Sequence, residues 1–112
     1  MNNSEKFKSY LLSYQNKDID AVSKLFAPDI HLRDWKISVH GKAIAISETQ
    51  KNFDNASSLE IEILNIMENE NSVSGELKII VNQTEVLYVV DVLTFNNAGL
   101  ISSIRAYLGR EN

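Results

Sequence analysis

Chemistry in this chain has to come from carboxylates, phenols and two histidines. There is no cysteine, which removes disulfides, thiolate-bound zinc and thiol nucleophiles. His31 and His40 sit nine residues apart with no third ligand at a useful spacing, so they read as surface residues and no metal is expected. Neither histidine has a serine and an acid placed around it for a nucleophilic triad. No glycine-rich loop could cradle a phosphate, and no cofactor is expected. What is left is acid chemistry, and one acid stands out. The run Val86-Leu87-Tyr88-Val89-Val90-Asp91-Val92-Leu93-Thr94-Phe95 has the β-branched and aromatic content of a buried strand. Side chains alternate along a strand, so Asp91 shares its face with Leu87, Val89, Leu93 and Phe95. An anion on that face is costly unless it is paired or hydrogen-bonded. The alternative is a retained proton, which turns the acid into a hydrogen-bond donor and lifts its pKa above the usual value of about 3.9. Buried acids of this kind are candidate site residues.

The bulk properties narrow the partners. The 112 residues suit one domain, residues 1–112, with a small core. The chain is 44% hydrophobic and 23% charged, as ordinary globular proteins are. Its net charge is −4 with no basic cluster, which argues against nucleic acid as a partner. The polar start Met1-Asn2-Asn3-Ser4-Glu5-Lys6 runs straight into a helix pattern. No signal peptide or membrane span is visible, so a cytoplasmic location and no membrane partner are the default expectations.

The elements that must hold Asp91 follow from periodicity. Phe7, Tyr10, Leu11 and Tyr14 form one stripe of an amphipathic helix, with Ser4 as its expected N-cap. Asp18 caps a second short helix with Ile19, Val22, Leu25 and Phe26 inward, and Pro28 is expected to end it. Residues 30–37 alternate as a strand, with Ile30, Leu32 and Asp34 on one face. Gly41 punctuates, and residues 42–53 read as a third helix. Four strand candidates follow, Leu59–Met67, Val73–Val81, Val86–Phe95 and Leu100–Leu108, joined by short polar turns as in an antiparallel meander. Helices at one end of the chain and strands at the other give an α+β class. Both faces of the meander are apolar. Three helices cover one of them, so the other, with Tyr88, Val90, Val92, Ile101 and Tyr107, is expected to pack on a second copy of the chain.

This order of elements resembles the nuclear-transport-factor-2-like fold, a cone in which three helices and a curved antiparallel sheet enclose a pocket. The segment Leu25-Phe26-Ala27-Pro28-Asp29-Ile30-His31-Leu32-Arg33-Asp34 looks like the second-helix-to-first-strand segment of bacterial ketosteroid isomerases and related SnoaL-like polyketide cyclases. Asp91-Val92-Leu93-Thr94-Phe95-Asn96-Asn97-Ala98-Gly99 and Ile104-Arg105-Ala106-Tyr107-Leu108-Gly109 look like their last hairpin. The resemblance implies that Asp34 matches the general base, Tyr10 the oxyanion-hole tyrosine and Asp91 the protonated oxyanion-hole acid. It implies an apolar carbonyl ligand in a pocket walled by Trp35, Leu87, Val89, Leu93, Ala106 and Leu108. Trp35 stands where the family has proline and is expected to narrow the pocket mouth. Such a trio suits proton transfer alpha to a carbonyl, because the enolate oxygen needs prepared donors and the carbon acid needs a nearby base.

Plainer roles exist for each residue. Asp91 could be a structural acid paired with Tyr10 or Arg105; Arg105 lies off the pocket parity, so Tyr10 is the better partner. Asp34 could be a solvated strand end, and Tyr10 a helix-stripe aromatic. Two functions of different class therefore stand side by side. One is an isomerase or cyclase, with hydration or dehydration by the same acids as a variant. The other is a non-catalytic domain binding an apolar small molecule or a partner protein.

Overall fold

The computed structural model describes residues 1–111. Helices α1 (Asn3–Gln15), α2 (Ile19–Leu25) and α3 (Lys42–Asn55) pack against one face of a sheet built from β1 (Phe26–Arg33), β2 (Ser38–His40), β3 (Leu59–Glu68), β4 (Ser72–Val81), β5 (Glu85–Phe95) and β6 (Ile101–Leu108). The strand order is β2-β1-β6-β5-β4-β3, so the sheet is open rather than a closed barrel. This is the expected α+β cone. The meander from β3 to β6 is antiparallel, but β1 joins β6 in parallel. The sheet is therefore mixed, because the chain crosses from β1 through α3 before the meander begins. That parallel contact brings the end of β1, with Asp34 just beyond it, beside the β5–β6 hairpin.

Local chemistry explains where the elements begin and end. The cap of α1 is Asn2 and not Ser4: Asn2 Oδ1 accepts from Glu5 N at 2.8 Å and Glu5 Oε1 accepts from Asn2 N at 3.1 Å, a reciprocal capping box. Asp18 caps α2 as expected, accepting from Ala21 N at 3.1 Å. The helix stops at Leu25 and the chain enters β1 directly at Phe26, so Pro28 lies within a strand rather than closing a helix. It is exposed and sits where the β1–β6 ladder is irregular, the position at which a missing N–H costs least. The strand expected over residues 30–37 is two short ones. Asp34 turns the chain back on itself, its N–H donating to Ile37 O at 3.0 Å, and Arg33 then pairs with Ser38.

The core lies between the helices and the concave face of the sheet, where Phe7, Val22, Phe26, Ile30, Val73, Leu77, Leu93, Ile101 and Ile104 are all almost wholly buried. Ile101 thus belongs to this core and not to the outer apolar face where strand parity put it. The register shifts between Thr94 and Phe95, and that irregularity turns Ile101 inward opposite Phe95 and Phe26. Gly75 sets how closely α1 approaches. A Cβ on Gly75 would come within 2.4 Å of Phe7 Cζ, so the bare backbone of β4 is what lets the fully buried Phe7 ring seat on the sheet. Gly75 is also the cross-strand neighbour of Asp91. One missing side chain therefore fixes the height of the Tyr10 helix over the buried acid.

Candidate functional site

Tyr10, Asp34 and Asp91 line one cavity of about 110 Å³ between α1, α3 and the sheet. Asp91 projects from β5 with Gly75 on one neighbouring strand and Ala106 on the other. Two such small neighbours leave space around the carboxyl. Asp91 is 8% exposed and Tyr10 5%. No hydrogen bond joins them among the described residues, and neither has a side-chain oxygen that is sealed off without a partner. The expected Asp91–Tyr10 pair is thus not formed, because both groups open onto the cavity and keep their hydrogen-bonding capacity. Burial pushes the Asp91 carboxyl up to about 7, and the nearby negative charge of Asp34 adds to the shift. Burial also raises Tyr10 well above the ordinary phenol value, helped by Asp91, so it stays protonated. Two neutral O–H donors therefore face the cavity at mildly acidic pH.

Asp34 is held differently. Its Oδ1 accepts from Lys36 N at 2.7 Å and Ile37 N at 2.8 Å. An aspartate closing its own turn in this way is what breaks the strand after Arg33. The two amides fix the direction of the carboxyl, and Oδ2 has no hydrogen-bond partner among the described residues. Trp35 follows it, lining the cavity yet 44% exposed, which places the indole at the rim.

The rest of the expected wall divides. Val89 and Ala106 line the cavity with Trp35. Leu93 is fully buried in the core behind it, Leu87 lies further along β5, and Leu108 is 48% exposed near the end of β6; these three are not part of the lining. Strand parity places Leu87 and Leu108 on the correct face but says nothing of how far the cavity extends along it. Three polar residues that sequence reasoning passed over do line it: Tyr14, Thr49 and Asn52. Tyr14 carried a signal, since it continues the Tyr10 stripe by one helical turn. Asn52 and Thr49 carried none, because nothing in the sequence relates α3 to that stripe.

The histidines lie elsewhere. His31 and His40 face each other across the β1–β2 pair with rings stacked at 4.1 Å and 6°, and His31 Nε2 is 2.9 Å from Ser38 Oγ. Parallel stacked rings do not converge their nitrogens on a common ion, and no group of three metal-ligating side chains occurs among the described residues. Arg105 points away from the cavity, bonding Ser103 Oγ at 2.6 Å and Thr94 Oγ1 at 3.3 Å. None of the described helices is long and apolar enough to cross a membrane.

Known structures share this architecture. An NTF2-like protein of unknown function from Cytophaga hutchinsonii ATCC 33406 superposes with a TM-score of 0.82 at 12% identity, over 97% of this chain and 91% of that one. A protein provisionally assigned as a ketosteroid isomerase from Kribbella flavida DSM 17836 gives 0.85 at 13% identity, over 98% and 79%. The epoxide hydrolase/cyclase-like enzyme SalBIII, which acts in pyran ring formation in the polyether salinomycin, gives 0.82 at 21% identity, over 96% and 90%. At these identities the likeness is one of fold. No curated protein sequence matches the chain. A family model does, spanning residues 7–104 from the buried Phe7 of α1 to the core Ile104 of β6, and by that match the chain belongs to the SnoaL-like domain family.

Proposed function

We propose that the protein moves a proton alpha to a carbonyl of a small apolar substrate, with Asp34 as base and Tyr10 and Asp91 as the oxyanion hole. One observation carries this: two carboxyls and a phenol line the same small cavity, and the two carboxyls differ in environment as a base and an acid must. In the step, unengaged Oδ2 of Asp34 takes the alpha proton. The C–H electron pair moves into the carbon–carbon bond and the carbonyl π pair onto oxygen. The Tyr10 and Asp91 O–H groups meet that developing negative charge. The proton on Asp34 exchanges with solvent, and a proton then returns to carbon; return to the γ carbon shifts the double bond into conjugation and regenerates the carboxylate. The test is deuterium exchange at the alpha carbon of cyclohex-3-enone, followed by proton NMR in D₂O. Exchange that depends on Asp34 supports the assignment. Saturable binding without exchange, for this and larger enones, would instead leave a non-catalytic ligand-binding domain.

The outer face of the sheet supports a second proposal, a homodimer. Val86 is 44% exposed and Tyr107 56% exposed there, beside Tyr88, Val90 and Val92. An apolar face of this kind is usually covered. Multi-angle light scattering at micromolar concentration should give twice the 12.6 kDa chain mass; a clean monomer would remove the claim.

A further inference from the structure

The cavity has a second polar wall for which the proton-transfer step has no use. Tyr14 lies one turn from Tyr10 on α1, with ring centroids 5.9 Å apart. Its hydroxyl oxygen accepts from Asn52 Nδ2 of α3 at 3.1 Å. A phenol that accepts in this way still has its own proton to donate, and burial raises the Tyr14 pKa, keeping that proton in place. The ring packs edge-on against Phe53 at 4.9 Å and 78°, which fixes its direction. Thr49 complements it. Thr49 is 3% exposed and commits its hydroxyl proton to Ala45 O at 2.8 Å, so its oxygen can only accept from a ligand. Tyr14, Asn52 and Thr49 line the same cavity as Tyr10, Asp34 and Asp91, with aliphatic wall from Leu11, Ile61, Val89 and Ile104. A hydrocarbon laid against the second polar set would strip its water and give nothing back.

We propose that Tyr14, with Asn52 and Thr49, forms a second hydrogen-bonding site, and that the ligand is a single oxygenated ring carrying a hydroxyl opposite its reacting carbonyl. The proposal rests on the proton-transfer reading for the place of the carbonyl at Tyr10 and Asp91. The helix sets the spacing. Tyr10 and Tyr14 are offset along α1 by about 6 Å, four residues of 1.5 Å rise, comparable with the span between oxygens placed 1,4 on a six-membered ring. A hydroxyl fits both partners, accepting from Tyr14 and donating to Thr49. The cavity volume of about 110 Å³ also favours one ring over a fused polycycle, since pockets for larger ligands occupy roughly 300–1,000 Å³.

The test compares the dissociation constants of 4-hydroxycyclohex-2-enone and cyclohex-2-enone by NMR shift titration. The parent should prefer the hydroxylated ring by about tenfold, the net value of one good hydrogen bond. Tyr14→Phe, which keeps the ring against Phe53, should bring the ratio to about one. Asn52→Ala, a change at an exposed position, should lower the ratio without abolishing it. A parent ratio near one, a ratio that Tyr14→Phe leaves unchanged, or no saturable binding of either ring would overturn the second site. Exchange at the alpha carbon is measured alongside. A ratio without Asp34-dependent exchange would sink the proton-transfer reading alone, and exchange without a ratio would sink the second site alone.

Discussion

Asp91 and Asp34 open onto one cavity and share one side chain, yet the protein treats them in opposite ways. Asp91 stands in the middle of a strand, between Gly75 and Ala106, with no salt-bridge partner among the described residues. Asp34 stands where a strand breaks, and two backbone N–H groups converge on its Oδ1. The first environment keeps a proton on the carboxyl up to about pH 7; the second fixes the carboxyl by hydrogen bonds to one of its oxygens. The fold thus needs no separate chemical groups to provide an acid and a base. It needs one carboxyl inside an apolar sheet and another at a turn, with the parallel β1–β6 contact bringing the two to the same cavity.

If that contrast is functional, changing the turn acid should have the largest effect. Asp34→Asn retains the shape and can still accept N–H bonds through its carbonyl oxygen, but it cannot take up a proton at carbon. Exchange at the alpha carbon should fall by about 10²- to 10⁴-fold with ligand affinity nearly intact. Parent-rate exchange in this variant would assign the base elsewhere.

The buried acid should show itself next, in stability rather than rate. Burial pushes its carboxyl to about 7, above the ordinary aspartate value of 3.8, so the unfolded chain releases the proton first. Stability from this group is complete below about pH 4 and is lost as pH rises through about 7, a loss of order 4 kcal/mol. Asp91→Asn has no proton to release and should remove that loss. Measured from pH 4 to 8, the urea midpoint of the variant should rise steadily relative to that of the parent, and parallel curves would mean that Asp91 ionises freely in the folded state. Exchange at the alpha carbon should also decline above about pH 7 as Asp91 gives up its proton.

Much of this contrast was legible from the chain, and the illegible part has physical causes. The alternation around Asp91 was enough to place it inward, because strand period alone decides the face. Alternation puts Asp34 inside a strand over residues 30–37, because an aspartate closing its own turn depends on backbone dihedrals that alternation does not report. Parity puts Ile101 on the outer face, and a register shift at Thr94/Phe95 reverses that parity without changing a residue type. The missed polar wall joins α1 to α3 through the Tyr14–Asn52 bond across 38 positions, a tertiary contact that no local pattern carries. The importance of Gly75 could have been suspected, since glycine inside a strand pattern often marks a close approach, but its partner Phe7 could not.

Gly75 gives the smallest of the expected effects. Gly75→Ala would drive a methyl into the Phe7 ring, and overpacking of this kind typically costs about 1–3 kcal/mol. Because Phe7 sits one turn before Tyr10, the same change should move the phenol relative to Asp91 and weaken exchange as well as stability. The double variant Gly75→Ala with Phe7→Leu should recover part of the urea midpoint. No recovery would mean that α1 is not positioned through this contact.

The contrast between the two carboxyls is tested most directly by carbon-13 NMR titration of the Asp91 and Asp34 side-chain carboxyls in the folded parent. Asp91 should titrate near pH 7, and Asp34→Asn should lower that value, because the neighbouring negative charge is gone. An Asp91 carboxyl that titrates at or below 3.8 would be a paired anion, and the oxyanion-hole role would fail with it.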